Sequence, residues 1–364
     1  MTDATNAQRQ LAEFAEQLRS LGWNGHFGRS LAAMDTGPGR VARVISAQRN
    51  LFLVADGAEE RLCPPSGRIL HAGDDYPVTG DWVLTDGDVI RSILPRMNIL
   101  SRGEAGSRNG RSGTALREQP LAANLDMVFI VCGLDRDFNL RRLERYLTLV
   151  YNCGLAPLVA LTKADLLDDP EAARRQVEDI AFGVPVVLAS MLDDRGRDEL
   201  ASRLGPGRTV AMLGSSGAGK STLANRLYGG EIQATGRVSD SVGKGRHTTT
   251  ARELIRMPGG GLLMDNPGIR EVALYLDGDG VEKSFADIAE LAEGCRFADC
   301  SHESEPGCAV LRAVELGRLP PERLESYRRM EREMRYVAER RDKSANRVEK
   351  ERWKPIAKLT RKMK

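Results

Sequence analysis

Residues 214–222 read Gly-Ser-Ser-Gly-Ala-Gly-Lys-Ser-Thr, a loop composed to hold a polyphosphate. The spacing G-x-x-x-x-G-K-S follows an apolar, strand-like run and precedes a helical pattern, as the chemistry requires. Gly214, Gly217 and Gly219 let backbone N–H groups converge on phosphate oxygens, with Ser215, Ser216 and Ala218 between them. The following helix N-terminus adds a favourable dipole. Lys220 supplies a point charge for the β- and γ-phosphates, and the Ser221 hydroxyl, followed by Thr222, is placed to ligate Mg²⁺.

Downstream, Asp265-Asn266-Pro267-Gly268 closes the run "GLLMD" in a D-x-x-G pattern. Asp265 would hold the metal through water, and the Gly268 N–H would meet the γ-phosphate. Between these motifs, "GKGRHTTT" offers three successive hydroxyls. A switch loop needs one threonine to complete the Mg²⁺ shell. Thr249 is carried as the candidate, with Thr248 and Thr250 as alternatives.

A second constellation lies upstream. Thr162-Lys163-Ala164-Asp165 has the [NT]-K-x-D form of a guanine reader. A carboxylate at Asp165 accepts both the N1–H and the N2 amino group of guanine. Adenine lacks that pair and would leave the carboxylate unpaired. The stem of Lys163 would cover the base face, and Ser190, after the next strand, suits the loop supporting the base from the other side. This is the back half of a GTPase domain placed before its front half. Circular permutation is tolerated where old termini lie close together, so the same sheet and pocket can form.

Cys295-x₄-Cys300-x-His302-x₅-Cys308 is a third cluster. Three Cys and one His within fourteen residues match a closed tetrahedral zinc site. In a reducing compartment, metal binding is the natural use of such a cluster. Cys63, Cys132 and Cys153 are scattered and read as small core residues.

The elements that position these residues form three textures. Residues 7–21 read as one amphipathic helix with Leu11, Phe14, Ala15, Leu18 and Leu21 on one face, ended at Gly22. Short strand-like runs over 38–100, with a tight hairpin at Asp86-Gly87, suggest a small barrel such as an OB-fold, or another small β domain. Residues 101–120 are rich in Gly, Ser and Arg and read as a flexible linker. From 126 onward, strands alternate with helices, the pattern of a parallel sheet with helices on its faces. Leu324, Tyr327, Met330, Met334 and Val337 make a helical packing stripe.

The chain has 364 residues, 41% hydrophobic and 29% charged, within the range of folded globular proteins. It has no apolar run long enough to cross a bilayer and no secretory leader pattern, so a cytoplasmic protein without a membrane partner is expected. Net charge is +2, yet residues 340–364 alone carry +8, leaving −6 for the rest. A basic tail on an acidic body suggests an anionic partner, with RNA a candidate.

Taken together, the permuted order, "GRHTTT", "DNPGIRE", "CRFADCSHESEPGCAV", "GDWV" and "ILPRMNILSR" resemble the bacterial ribosome small-subunit-dependent GTPases of the RsgA/YjeQ family. The resemblance implies a multidomain α/β protein with an OB-fold β-barrel, a circularly permuted P-loop GTPase domain and a C-terminal zinc-binding helical domain. The expected division is 1–37 as a helical extension, 38–100 as the OB-fold and 101–122 as the linker. It continues with 123–275 as the GTPase domain, 276–340 as the zinc domain and 341–364 as a basic tail. The resemblance also implies GTP as substrate, Mg²⁺, one structural Zn²⁺, and hydrolysis stimulated by the small ribosomal subunit and its rRNA in late assembly. A monomer in solution is expected. Ile269 follows D-x-x-G where Ras-like GTPases use Gln to orient water. The resemblance suggests His247 as the substitute. Two other readings stand beside this one: a nucleotide-gated RNA-binding module, and a P-loop ATPase with a zinc-stabilised interaction domain.

Overall fold

The computed structural model describes residues 4–34, 39–48, 50–72, 76–103, 118–232, 252–265, 278–332 and 334–335. The chain opens with α1 (Ala4–Glu13), α2 (Ala15–Ser20) and α3 (Gly25–Ala33). The single helix expected over 7–21 is therefore two, broken at Phe14, where φ is −114° and ψ 30°. Both halves keep Leu18 and Leu21 buried and Leu11 and Phe14 against the core, so the apolar stripe crosses the break without a signal. The third helix starts where the Asn24 side chain caps the His26 N–H at 2.9 Å.

Five short strands follow: β1 (Arg40–Gln48), β2 (Leu51–Ala55), β3 (Glu60–Cys63), β4 (Trp82–Asp86) and β5 (Val89–Ile93), with α4 (Gly67–Ala72) between the third and fourth. β1 pairs with β2 and β4, β2 with β3, and β4 with β5, all antiparallel. An isolated parallel bridge joins Pro65, just past the third strand, to Ile90 of the fifth. Strand alternation sends Ala42, Val44, Phe52, Val54, Val83 and Ile90 inward, into one core. Val41, Ile45, Trp82 and Leu84 point the other way, into the core shared with α1–α3. Trp82 meets Trp23 edge-on at 4.8 Å between centroids.

Arg43 lies fully buried where these helices, this β-region and the following chain meet. Its guanidinium donates to Leu21 O, to Gly80 O at 3.3 Å and to Asn124 O at 3.0 Å. Burial pulls its pKa down to about 10, against the pull of Asp126 and Asp81.

The linker expected at 101–122 needs correction at both ends. β6 (Ile99–Gly103) and β7 (Glu118–Ala123) pair antiparallel, with Leu100, Leu121, Ala122 and Ala123 buried. The ladder satisfies backbone groups that a polar, Gly-rich composition gives no reason to expect paired. Residues 104–117 lie outside the described residues.

The central sheet uses β8 (Met127–Gly133), β9 (Ala156–Thr162), β10 (Val186–Leu188), β11 (Thr209–Leu213), β12 (Arg252–Arg256) and β13 (Leu262–Asp265) in the order β10-β9-β8-β11-β13-β12. All neighbours are parallel except β12 with β13. The helices α5 (Leu140–Asn152), α6 (Pro170–Glu178), α7 (Arg197–Arg203) and α8 (Lys220–Tyr228) connect them. β8 shows why both faces are covered. Val128, Ile130 and Cys132 enter one core with residues of α5 and α6, while Phe129 and Val131 enter another with residues of α7 and α8. β12 also pairs with β1, through Ser46 with Glu253 and Ala47 with Arg252, so the sheet runs on into the N-terminal strands.

The C-terminal part comprises α9 (Gly278–Ser284), α10 (Ala286–Ala292), α11 (Ala309–Glu315) and a helix over 321–332. Leu324 and Met330 of the last are buried, with Tyr327 and Met334 against the same core, a packing stripe as expected; Val337 lies outside the described residues. α5 and α9 approach so closely that a methyl on Gly280 would overlap Asn152 and the Thr148 carbonyl. Beside them, Arg323 donates to Glu144 at 2.7 Å and to both oxygens of Asp287 at 3.0 and 2.9 Å. Its planar fork matches the carboxylate, and its face lies 4.2 Å from the Phe285 ring centroid. Among the described residues, no helix is long and apolar enough to cross a membrane.

Candidate functional site

In a doubly wound sheet, ligands bind beyond the carboxyl ends of the strands. The loops after β8, β9, β10 and β11 all leave that edge, and they carry the upstream and downstream motifs to one place. Gly219, with φ 90°, turns the loop after β11 into α8. Lys220 Nζ folds back to the Gly214 and Ser215 carbonyls at 2.8 and 2.6 Å. Ala218 is buried within the loop, while Ser216, Gly217, Ser221 and Thr222 are exposed at its mouth.

The loop after β9 grips this one directly. The Thr162 hydroxyl donates to Ala218 O at 2.6 Å. Lys163 Nζ donates to Gly217 O at 2.7 Å, from a left-handed backbone with φ 58° and ψ 35°. Ala164 N bonds to Ala189 O at 3.1 Å, tying this loop to the one after β10. There the Ser190 hydroxyl donates to Asp165 Oδ1 at 2.8 Å and accepts the Leu192 N–H at 3.1 Å. Asp165 itself is exposed. Residues some fifty positions apart in the chain, encoded back to front, thus line one mouth.

Two residues of this site escaped the sequence reading. Asp135 Oδ2 receives Lys163 Nζ at 2.5 Å. Chiefly through that hydrogen bond, the Asp135 carboxyl is held below its ordinary range. Asp137 accepts the Ser215 hydroxyl and pairs with Arg142 at 2.6 Å. Both lie in "GLDRDFN", after β8 and before α5, beside the phosphate-loop strand. An acidic pair at the carboxyl end of a central parallel strand was the available signal.

Asp265 ends β13, with its backbone opposite Glu253. His247, Thr249 and Gly268 lie outside the described residues.

The Cys/His cluster is a separate site. The ligand atoms of Cys295, Cys300, His302 and Cys308 lie within 4.8 Å of one another. Cys295 Sγ and Cys308 Sγ stand 3.6 and 3.4 Å from His302 Nδ1, and 3.9 Å from each other. The edges of a tetrahedron of zinc–sulfur bonds are ~3.8 Å, with shorter sulfur–nitrogen edges, so this donor set fits the ion. The backbone N–H groups of Ala309 and Leu311 point at Cys295 and Cys308 sulfurs at 3.3 and 3.4 Å, as thiolates require. Burial pulls the His302 imidazole below its ordinary value, towards the neutral form that coordinates metals. Glu305 braces the loop by accepting from the Ser301 hydroxyl and N–H and from the Ser304 N–H, which hold its carboxyl down at about 2.

Comparison with known proteins bears on the same residues. Residues 93–275 match a sequence model of the RsgA GTPase family. The chain is 45% identical over 321 residues to "Small ribosomal subunit biogenesis GTPase RsgA" of Syntrophotalea carbinolica, covering 85% of this chain and 87% of that one. The crystal structure of YjeQ from Thermotoga maritima superposes with a TM-score of 0.60 at 28% identity, covering 81% of this chain and 98% of that one. YloQ, described as a circularly permuted GTPase, gives a TM-score of 0.56 at 24% identity over 84% of this chain and 96% of its own, a likeness of fold.

Proposed function

The chain belongs to the RsgA GTPase family, and from that premise we propose that it binds GTP with Mg²⁺, hydrolyses it to GDP and phosphate, and acts in small ribosomal subunit maturation. The relatives' shared name supports the biological role. The observation that carries the chemistry is the pair of bonds from Thr162 and Lys163 to the Ala218 and Gly217 carbonyls. They tie the proposed base-reading loop to the phosphate loop, which supports the reading of a single pocket shared by Asp165 and Lys220.

Within that pocket the chain's residues take these roles. The 214–222 loop, with Lys220, would receive the phosphates; Ser221, Thr249 and Asp265 are the residues that would hold the magnesium ion, which would neutralise phosphate charge. Thr162, Lys163, Ala164, Asp165 and Ser190 hold the base, and Gly268 meets the γ-phosphate. His247 positions the attacking water where Ile269 cannot. Cys295, Cys300, His302 and Cys308 hold one zinc ion, which cross-links the loop between α10 and α11.

We divide the chain as a helical extension over 1–37, an OB-fold over 38–100, a linker over 101–122 whose two ends pair as β6 and β7, the permuted GTPase domain over 123–275, the zinc domain over 276–340 and a basic tail over 341–364. The strand order β3-β2-β1-β4-β5, with the Pro65–Ile90 bridge and α4 before β4, supports the OB-fold assignment. The ribosomal partner is read as the small subunit with its rRNA, bound by a monomer in the cytoplasm.

One assay tests the reading: phosphate release from GTP with and without purified small subunits. Small subunits should raise the rate, and His247→Ala should lose the stimulation while keeping GTP binding. Equal rates in both arms leave an RNA-binding module with incidental turnover. ATP competing as well as GTP for the pocket overturns the guanine assignment.

A further inference from the structure

One lysine in this pocket has a choice of carboxylates. Lys163 lies two residues before Asp165 on the same turn, and its long flexible stem allows the ammonium several positions. In the structure the ammonium is held away from Asp165, between Asp135 Oδ2 at 2.5 Å and Gly217 O at 2.7 Å. The backbone cooperates. Lys163 takes a left-handed turn with φ 58°. A methyl on Gly133 would sit 3.1 Å from Asp135 Oδ1 and 3.5 Å from Lys163 Cδ, so glycine leaves the carboxylate and the stem room to lie together. Asp135 is fixed in turn, its other oxygen accepting the Asp137 N–H at 2.9 Å. Among the described residues, the side-chain partner of Asp165 is a neutral one, the Ser190 hydroxyl.

We infer that Asp135 is a specificity-positioning residue: by holding the Lys163 ammonium on the phosphate-loop side, it keeps the Asp165 carboxylate free of a cation and available to the guanine N1–H and N2 amino group. The inference rests on Asp165 reading guanine, as proposed above. An ammonium on Asp165 would compete for the lone pairs those two donors need. Without Asp135, Lys163 retains one carbonyl, and the carboxylate two residues away becomes its charged partner. Charge-assisted hydrogen bonds are roughly twice as strong as neutral ones, which sets the direction of the swing.

The test compares GTP with inosine triphosphate, which keeps N1–H and lacks the N2 amino group. The unaltered protein should favour GTP by about tenfold or more, because an acceptor that the bound base covers and leaves unpaired is costly. Asp135→Asn preserves the shape of the side chain and removes its charge. It should narrow the GTP-to-inosine ratio by about threefold or more, and Asp135→Glu should restore much of it. Loosening of the pocket, or a changed field on the triphosphate, moves both nucleotides by one factor and leaves the ratio alone. In a Lys163→Met background, where no ammonium can swing, Asp135→Asn should leave the ratio unmoved. A ratio unchanged by Asp135→Asn in the otherwise native chain, or one that narrows equally without the lysine, overturns the inference. No preference for GTP in the unaltered protein would instead defeat the reading of Asp165 on which it stands.

Discussion

The nucleotide pocket and the Cys/His cluster treat their ligand atoms in opposite ways. In the pocket, the charged groups already have partners from the chain. Lys220 rests on two loop carbonyls, Lys163 on Asp135 and Gly217 O, and Asp165 on Ser190. In the cluster, three thiols and an imidazole face one another across less than 4.8 Å, with backbone donors aimed at the sulfurs. Among the described residues, no cation pairs with those sulfurs. A site that satisfies itself can be filled and emptied repeatedly, as a substrate requires. On the proposed reading this donor set closes around a zinc ion, and the ion is then part of the fold.

That contrast can be broken most forcefully at the metal. Stripping the ion with a strong chelator, or replacing Cys308 with Ser, should withdraw stabilisation on the order of 10 kcal/mol from the C-terminal part. Residues 278–332 should become protease-sensitive as bound zinc is lost, while GTP affinity changes by less than about threefold. An equal loss of GTP affinity would show that the two regions are one cooperative unit.

A smaller blow falls on the seam between them. Arg323→Met removes the cation that Glu144 and Asp287 share, and Arg323 and Glu144 side chains are only 3% and 5% exposed. Stranding a buried carboxylate costs about 3–5 kcal/mol, read as a lower denaturation midpoint with zinc content unchanged. Loss of zinc at the same time would mean that the seam holds the cluster together.

The finest probe is inside the pocket. Thr162→Val is nearly isosteric and deletes only the hydroxyl bound to Ala218 O. It should cost about 1 kcal/mol of stability and weaken GTP about fivefold, measured by nucleotide titration. Unchanged affinity would mean that the phosphate loop keeps its shape without support from the other half.

The parallel sheet was legible because its strands are continuous apolar runs punctuated by Gly and Pro-Glu starts, and the motifs sat at strand ends where chemistry demands them. The break at Phe14 was not legible, since the helical period passes through it unchanged. The β6–β7 ladder was hidden because pairing between residues some twenty positions apart leaves no local mark in a Gly- and Ser-rich stretch. Asp135 and Asp137 carry no motif of their own; they gain meaning only once the fold sets β8 beside β11 and β9.

Arg43 has a consequence for the order of events during synthesis. Its three carbonyl partners stand 22, 37 and 81 positions away along the chain. The last, Asn124, is made long after the strand that carries the arginine. Until then the guanidinium must remain hydrated or find a temporary acceptor, and its native socket cannot close. Such long-range closure comes late in folding, so the first hundred residues should wait for the chain just before β8 before they lock.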